Sequence, residues 1–523
     1  MPNQNLAAPL RPPGCLWLAV HLPLLQLEVF RPRWLAPEAG LVSVVLEQKR
    51  VTALSAAAQA AGVRAGMRQG GVTMLASEAL CFQRDRAREQ AALHSVALSL
   101  LQYSPQVALA QDASVLLEVG ASLRLFGGIR ALLRRLRHTL ALLGFTLATG
   151  CAPTAGAAWL LARHAAARRR RGLQVLQPHK LAARLDALPL NLLAAAAPCL
   201  ELLHGIACCR LGELRRLPRP GLQRRCGQAL LNELDQAYGR LAELHDWVVA
   251  APEFKASMEL PDRMEQADAI LAYARSLLLQ MTGWLSARRL AVGKIKLYLQ
   301  HERGRQAIPA SVLDIALAEA GWQEGHLLNL LKEKLGQVQL HAAVIGVTLE
   351  ALDTVPLQAR SASLFPEPGG QAQDHRRLLE LLIARLGEGQ VLRPAPQADH
   401  RPEVANRWLP VLDKAAAAPA GVTETPSATA PLRPGWLLPQ AQPLEMRRHK
   451  PYYGSPLTLL TPAERIETGW WDPQAEARDY FVALDERHVQ YWIYRERQPA
   501  QSKDEAQAES QAEPAWFLHG VFG

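Results

Sequence analysis

Short apolar runs alternate with amphipathic stretches along the first third of the chain. Residues 16–22, 41–51 and 107–119 have the length and composition of β-strands. Apolar positions at helical spacing predict helices over residues 84–101 and 129–143, and the second of these is rich in arginine. Strands that alternate with helices in this way favour an α+β or α/β architecture.

The clearest pattern lies between residues 254 and 354, where predicted strands and helices follow the order β-α-β-β-α-β. Along the predicted strand 290–301, Lys294, Lys296 and Tyr298 occupy alternate positions between apolar residues. Two cations and an aromatic ring on one open sheet face would suit a phosphate backbone. A merely solvated strand face is the alternative.

The amino-acid composition changes twice in the last part of the chain. Residues 356–432 are rich in Pro, Ala and Gly and predict a linker, with one amphipathic helix near residues 376–386. Beyond residue 430 the chain holds 13 of its 30 aromatic residues, which predicts a separately packed, mainly β module. Residues 479–484 and 489–495 are expected to form a hairpin in it.

Length and charge narrow the possible functions. The 523 residues predict about three or four domains, and 58 basic against 48 acidic side chains give a net charge of +10. A polyanionic partner is therefore plausible, although a basic but otherwise ordinary enzyme fits equally well. The seven cysteines show no Cys-x-x-Cys spacing, which argues against a zinc ribbon. Polar residues interrupt the apolar run at 16–29, so neither secretion nor membrane insertion is expected.

Two basic segments are candidates for contacts with a polyanion. Residues 203–206 and 211–214 resemble a helix-hairpin-helix, whose turn at Gly205 would aim backbone N–H groups at a phosphate beside Arg210. Four consecutive arginines at 168–171 form the second segment. A charge run of this kind is commonly just a solvated surface.

Several motifs together carry a family resemblance. Tyr103-Ser104-Pro105 before a predicted strand, Leu125-Phe126-Gly127-Gly128, the helix-hairpin-helix and the β-α-β-β-α-β region resemble the Y-family translesion DNA polymerases. The segments Pro462–Trp471, Arg478-Asp479-Tyr480 and Trp516–Gly520 resemble, within that family, the branch of catalytically inactive accessory subunits of the bacterial mutasome. The resemblance covers nearly the whole chain from about residue 14.

The resemblance implies an α+β multidomain fold with the regions of a Y-family polymerase. These regions are a palm (14–30 and 76–170), fingers (31–75), a thumb with the helix-hairpin-helix (171–245), a little finger (250–355), a linker with a clamp-binding peptide and a short helix (356–432), and a mainly β C-terminal interaction module (433–523).

The resemblance also shows where catalytic groups would stand. The family's metal-binding carboxylates align with His21, Ala113 and Ser114, none of which can replace an ionised carboxylate for two Mg²⁺ ions. Its nucleotide-binding side chains align with Ala56, Gln59 and Ala155. In an uninterrupted strand, Asp112 would point away from the face of position 113. We therefore expect no metal, no cofactor and no polymerase activity; a divergent but active translesion polymerase is the alternative.

The implied role is a non-catalytic adaptor in SOS-induced translesion synthesis, cytoplasmic and associated with the nucleoid. The implied partners are DNA, the sliding clamp, an error-prone C-family polymerase and a RecA-like protein, with no membrane. The expected contacts are Gly205, Arg210, Lys294, Lys296 and Tyr298 for DNA, Ser361, Leu364 and Phe365 for the clamp, and Trp470, Trp471 and Tyr480 for protein partners. A DNA-binding protein without clamp or polymerase partners is a third possibility.

Overall fold

A computed structural model describes residues 15–35, 40–302, 308–340, 342–357, 372–397, 399–412, 433–468, 476–497 and 515–522. The chain divides into two compact units, Met1–Arg385 and Leu386–Gly523. Within the described ranges, every helix is too short or too polar to cross a membrane.

The first unit opens with palm-like and fingers-like elements. Its strands are β1 (Trp17–His21), β2 (Ser43–Glu47), β3 (Arg50–Leu54), β4 (Leu80–Gln83), β5 (Val107–Ala110), β6 (Ser114–Glu118), β7 (Ala148–Ala152) and β8 (Gly172–Gln174). Its helices are α1 (Leu25–Glu28), α2 (Ala56–Ala60), α3 (Gln69–Leu75), α4 (Arg86–Leu100), α5 (Leu123–Phe126), α6 (Ile129–Leu142) and α7 (Ala155–Ala167). They build a five-stranded sheet, β5-β6-β1-β7-β8, and a small sheet, β3-β2-β4.

Both long predicted strands of this region are in fact hairpins. Residues 41–51 reverse at Gln48 and Lys49, and residues 107–119 reverse at Asp112 and Ala113, all with φ between 48° and 62°. Two successive residues at positive φ give the tight turn that suits the twist of a hairpin. The prediction of an uninterrupted strand at Asp112 is therefore wrong.

The palm sheet is covered on both faces. Leu18 and Val20 of β1 pack with the leucines of α6, whereas Ala19 between them packs with α7. Strand alternation places His21 and Ser114 on the α7 side. The side chain of Thr154 caps the start of α7 by accepting the N–H of Ala157.

The thumb-like region is helical. It contains α8 (Leu181–Asp186), α9 (Leu200–Gly205), α10 (Leu211–Arg216), α11 (Arg219–Cys226) and α12 (Gln228–Tyr238), with 3₁₀ turns at Leu190–Leu192 and Ala194–Cys199. Their leucines share one apolar core with α7.

The β-α-β-β-α-β order is confirmed. The elements are β9 (Lys255–Met264), α13 (Ala267–Arg288), β10 (Leu290–His301), β11 (Ser311–Gly321), α14 (Glu324–Gln337) and β12 (Val344–Pro356), with the sheet order β11-β10-β12-β9. A further helix, α15 (Ala372–Leu386), packs on this region through buried Ile383 and Ala384. The buried Glu380 carboxylate accepts the N–H of Ala318 at 2.6 Å. This part of the predicted linker therefore belongs to the first unit.

The second unit is mainly β, as predicted. Its strands are β13 (Leu392–Pro396), β14 (Asn406–Pro410), β15 (Trp436–Arg447), β16 (Lys450–Tyr453), β17 (Ser455–Pro456), β18 (Thr458–Leu459), β19 (Glu464–Thr468), β20 (Glu476–Leu484), β21 (Gln490–Glu496) and β22 (Trp516–Val521). The predicted hairpin at 479–495 is β20 and β21, which pair antiparallel. Strands β13 and β14 lie in the predicted linker, so that prediction is wrong for these residues.

Candidate functional site

The positions that the family resemblance aligns with metal-binding carboxylates lie at the end of β1 and the start of the neighbouring strand β6. His21 on β1 pairs directly with Ser114 on β6, and His21 Nδ1 lies 3.0 Å from Ser114 Oγ. The Ser114 hydroxyl donates to the carbonyl oxygen of Asp112 at 3.0 Å, so it accepts from His21 Nδ1–H. Burial lowers the pKa of His21, which favours the neutral imidazole.

Asp112 is the carboxylate beside this pair. Because it lies in the β5–β6 turn, its side chain can reach helix α7, where its Oδ2 is 2.9 Å from Arg163 Nη2. Arg163 also donates to the carbonyl oxygen of Leu192 and packs its guanidinium 4.6 Å from the centre of the Trp159 ring. Arg163 thus pairs with the Asp112 carboxylate and also contacts the thumb-like region through Leu192.

The carboxylate on β6 itself, Glu118, accepts backbone hydrogen bonds. It is four residues from Ser114, about 13 Å along the strand. Its Oε1 accepts the N–H groups of Leu16 and Gly120 at 3.2 and 2.9 Å. Among the residues that the structure describes, no three His, Cys, Asp or Glu side chains are placed to hold a metal. An imidazole, a hydroxyl and one arginine-paired carboxylate do not fit a pair of Mg²⁺ ions.

The positions aligned with nucleotide contacts are likewise neutral. Ala56 is the first residue of α2, and Ala155 is the buried first residue of α7. Gln59 accepts a hydrogen bond from Arg169 at 2.8 Å, which joins the fingers to the basic run at 168–171.

The thumb-like region does not form the phosphate-binding turn that the sequence predicts at Gly205. Gly205 is the last residue of α9, so its N–H lies inside a helix instead of at the start of one. The Glu213 carboxylate accepts the N–H groups of Cys209 and Arg210 at 2.7 and 2.9 Å. These two backbone donors are therefore occupied, whereas the Arg210 side chain is exposed.

The open face of the little-finger sheet carries both signs of charge. Ile295 is fully buried, while Lys294 and Lys296 are about one-third exposed, which confirms the predicted alternation. Their ammonium groups lie 3.6 and 3.8 Å from the Asp314 carboxylate. The Tyr298 hydroxyl donates to Glu350 at 2.9 Å. The two lysines share one carboxylate, so this face is less cationic than its sequence indicates.

Comparison with known proteins finds a matching family model and a curated relative. A model of the impB/mucB/samB family matches residues 38–163. Protein ImuB of Caulobacter vibrioides (strain NA1000 / CB15N) is 26% identical over 483 residues, which cover 88% of this chain and 100% of that protein. The chain is ImuB-like.

Solved structures show similarity at a lower level. A Dbh ternary complex is 16% identical with a TM-score of 0.37, covering 65% of this chain and 99% of Dbh. The crystal structure of DinB from Sulfolobus solfataricus is 16% identical with a TM-score of 0.36, covering 66% of this chain and 100% of DinB.

The C-terminal unit of this ImuB-like chain uses its aromatic residues mainly as a core. Tyr480, a predicted partner contact, is 1% exposed and stacks on Trp492 with ring centres 4.1 Å apart. Its hydroxyl lies 2.9 Å from His519 Nδ1. Tyr480 is therefore unavailable to a partner, and that prediction is corrected.

A buried polar network surrounds Tyr480. Arg478 donates to the Tyr480 hydroxyl at 3.1 Å and to Glu403 at 2.9 Å. Glu403 precedes Arg478 by 75 residues in the chain. The desolvation of His519 lowers its pKa. Sequence reasoning missed this network; the signal available was the recurrence of charged residues in otherwise aromatic strands.

Five of the predicted contact residues lie outside the described ranges. These are Ser361, Leu364 and Phe365 of the clamp peptide, and Trp470 and Trp471 of the C-terminal module.

Proposed function

We propose that this protein is a polymerase-like adaptor without polymerase activity, acting in SOS-induced translesion DNA synthesis. The hydrogen-bonded His21–Ser114 pair carries the proposal, because it fills the positions at which the family resemblance places metal-binding carboxylates. Similarity to ImuB over 88% of the chain supports the same assignment.

Two-metal nucleotidyl transfer requires anionic oxygens from both palm strands. His21 offers a neutral nitrogen whose low pKa follows from burial. Ser114 offers a hydroxyl already engaged with two partners. Asp112 could supply a carboxylate only after release from Arg163. Each of these side chains has a partner within the protein that a metal ion would have to displace.

DNA binding is the second part of the proposal. A net charge of +10, the exposed Arg210 and the little-finger face of Lys294, Lys296 and Tyr298 support sequence-independent contact with phosphates. Such contact would have to compete with Asp314 for the two lysines. The binding is therefore expected to be salt-sensitive and moderate.

The partners follow from the family resemblance. Residues 361–365, Ser-Ala-Ser-Leu-Phe, would bind the sliding clamp by inserting the Leu-Phe pair into an apolar pocket. The C-terminal unit would engage the error-prone C-family polymerase and the RecA-like protein, with Trp470 or Trp471 as contacts. The protein would act in the cytoplasm at the nucleoid.

A pull-down with purified clamp, C-family polymerase and RecA-like protein tests the adaptor role. The full chain should retain all three, and Leu364→Ala with Phe365→Ala should remove the clamp alone. Ser361→Gln should strengthen clamp binding, because it restores the side-chain amide usual in such peptides. A full chain that captures DNA but none of the three proteins would contradict the adaptor role.

A further inference from the structure

Helix α6 lies in the longest stretch of one charge sign in the chain. Between Glu118 and Asp186 there is no acidic residue, whereas eleven arginines and one lysine occur there. The apolar side of α6 is buried in the palm core through Leu132, Leu136 and Leu140. Its arginines are therefore forced onto the opposite side of the helix.

These arginines form a line along the exposed side of α6. Arg130, Arg134 and His138 are exposed and follow one another at four-residue spacing, about 6 Å per step. Arg137 reaches across to the sheet edge, donating to Thr149 Oγ1 at 3.0 Å beside the backbone of Arg171. Burial and the charge of Arg171 lower the pKa of Arg137. We call Arg130, Arg134, Arg137, His138 and Arg171 the palm-back stripe.

Among the described residues, the arginines of the stripe lack a carboxylate partner. Within the described part of the chain, no ion pair joins Arg130, Arg134, Arg137 or Arg171 to a carboxylate. By contrast, the lysines of the little-finger face share Asp314. Like charges one helical turn apart repel each other, so an external polyanion would stabilise this surface.

The side chains on and beside the stripe indicate which kind of partner it suits: a protein, single-stranded DNA or duplex DNA. Large exposed apolar side chains occur at Leu125 and Leu176, but among the described residues none lies on α6 itself. A protein interface would need such anchors at its centre. Single-stranded DNA is commonly bound through exposed aromatic rings, which α6 also lacks. The aromatic ring of Phe126, before the helix, packs against Arg135, which is outside the stripe. Arginines in a line on a helix that has no aromatic residue of its own suit the phosphates of a duplex.

The stripe and the candidate palm site lie on opposite faces of the palm sheet. Leu18, Val20 and Leu117 point to the α6 side of the sheet, and His21 and Ser114 point to the α7 side. We propose that the palm-back stripe binds the phosphate backbone of a second duplex DNA segment, on the face of the palm opposite His21 and Ser114. The protein could then hold two DNA segments at once.

The test uses the full chain with Arg130→Gln and Arg134→Gln together, measured by fluorescence anisotropy on a blunt duplex over a salt series. The slope of log K against log salt should fall by up to about 2, since each phosphate contact contributes roughly 0.9. Affinity at physiological salt should fall by about tenfold or more. Arg130→Lys with Arg134→Lys should keep most of the slope because charge is retained.

A matched control removes the same charge from the fingers with Arg64→Gln and Arg68→Gln, both exposed. This control should change the slope much less than the stripe variant. Equal losses in the two variants, or an unchanged slope in the stripe variant with native thermal stability, would overturn the proposal. A loss confined to single-stranded oligonucleotides would also overturn it, because the stripe is assigned to duplex DNA.

Discussion

The Arg163 guanidinium lies 2.9 Å from the Asp112 carboxylate and joins the β5–β6 turn to helix α7. The same guanidinium reaches the carbonyl oxygen of Leu192 in the thumb. One side chain therefore links three segments that are distant in sequence. This link engages the carboxylate that directly precedes Ala113 and Ser114 in the sequence.

Replacing the two partners separately should give unequal losses of stability. Arg163→Ala removes the ion pair, the bond to Leu192 and the packing on Trp159, and should cost about 2–4 kcal/mol. Asp112→Asn removes only a half-exposed ion pair and should cost less than about 1 kcal/mol. Thermal and urea denaturation measure both. Equal effects would contradict a central role for Arg163.

The His21–Ser114 contact should make stability depend on pH. Because burial lowers the folded-state pKa of His21 below 6.5, the unfolded chain binds more protons below that pH. The contribution is thus complete above about pH 6.5 and is lost as the pH falls toward the folded-state pKa. His21→Gln should lose less Tm than the wild type between pH 7.5 and 5.5. Parallel pH profiles for the two proteins would contradict this.

Strand 290–301 is a part of the structure that the sequence pattern predicts well. Its bounds and buried face follow from strict alternation, because a period of two leaves a single way to bury Ile295 and Leu297. The hairpin at Asp112 was missed because its turn uses Asp and Ala where Gly or Asn is usual. Asp314 is the cross-strand neighbour of Lys296, which depends on the register of β10 and β11. Arg163 and Glu403 contact residues far along the chain, and no local pattern predicts such pairs.

DNA binding by the little-finger face can be tested with one variant that raises its positive charge and one that lowers it. Asp314→Asn frees Lys294 and Lys296, and should raise DNA affinity and the salt slope if these lysines contact phosphates. Lys294→Gln with Lys296→Gln should lower the slope by up to about 2. Salt titrations on several duplex sequences measure both variants. If Asp314→Asn leaves affinity and slope unchanged, the lysines do not contact DNA.

The C-terminal unit should be separable at residue 385 but not at residue 430. The unit begins at Leu386 and includes Glu403, which binds Arg478 on β20. A chain ending at Arg385 should stay folded, bind DNA and lose the polymerase or RecA-like partner. A chain ending at residue 429 keeps Glu403 and the two-stranded β13–β14 sheet but loses Arg478 and the eight-stranded sheet, and should be less soluble. Retention of both partners by the shorter chain would show that the C-terminal unit does not bind them.

Primer extension by the purified protein with Mg²⁺ or Mn²⁺ tests the central claim most directly. With His21 bonded to Ser114, and Asp112 held by Arg163, the account predicts no template-directed incorporation of any nucleotide. Asp112→Asn and Glu118→Gln proteins serve to exclude a contaminating polymerase. Incorporation by the wild type that disappears in either variant would show an active polymerase and contradict the account.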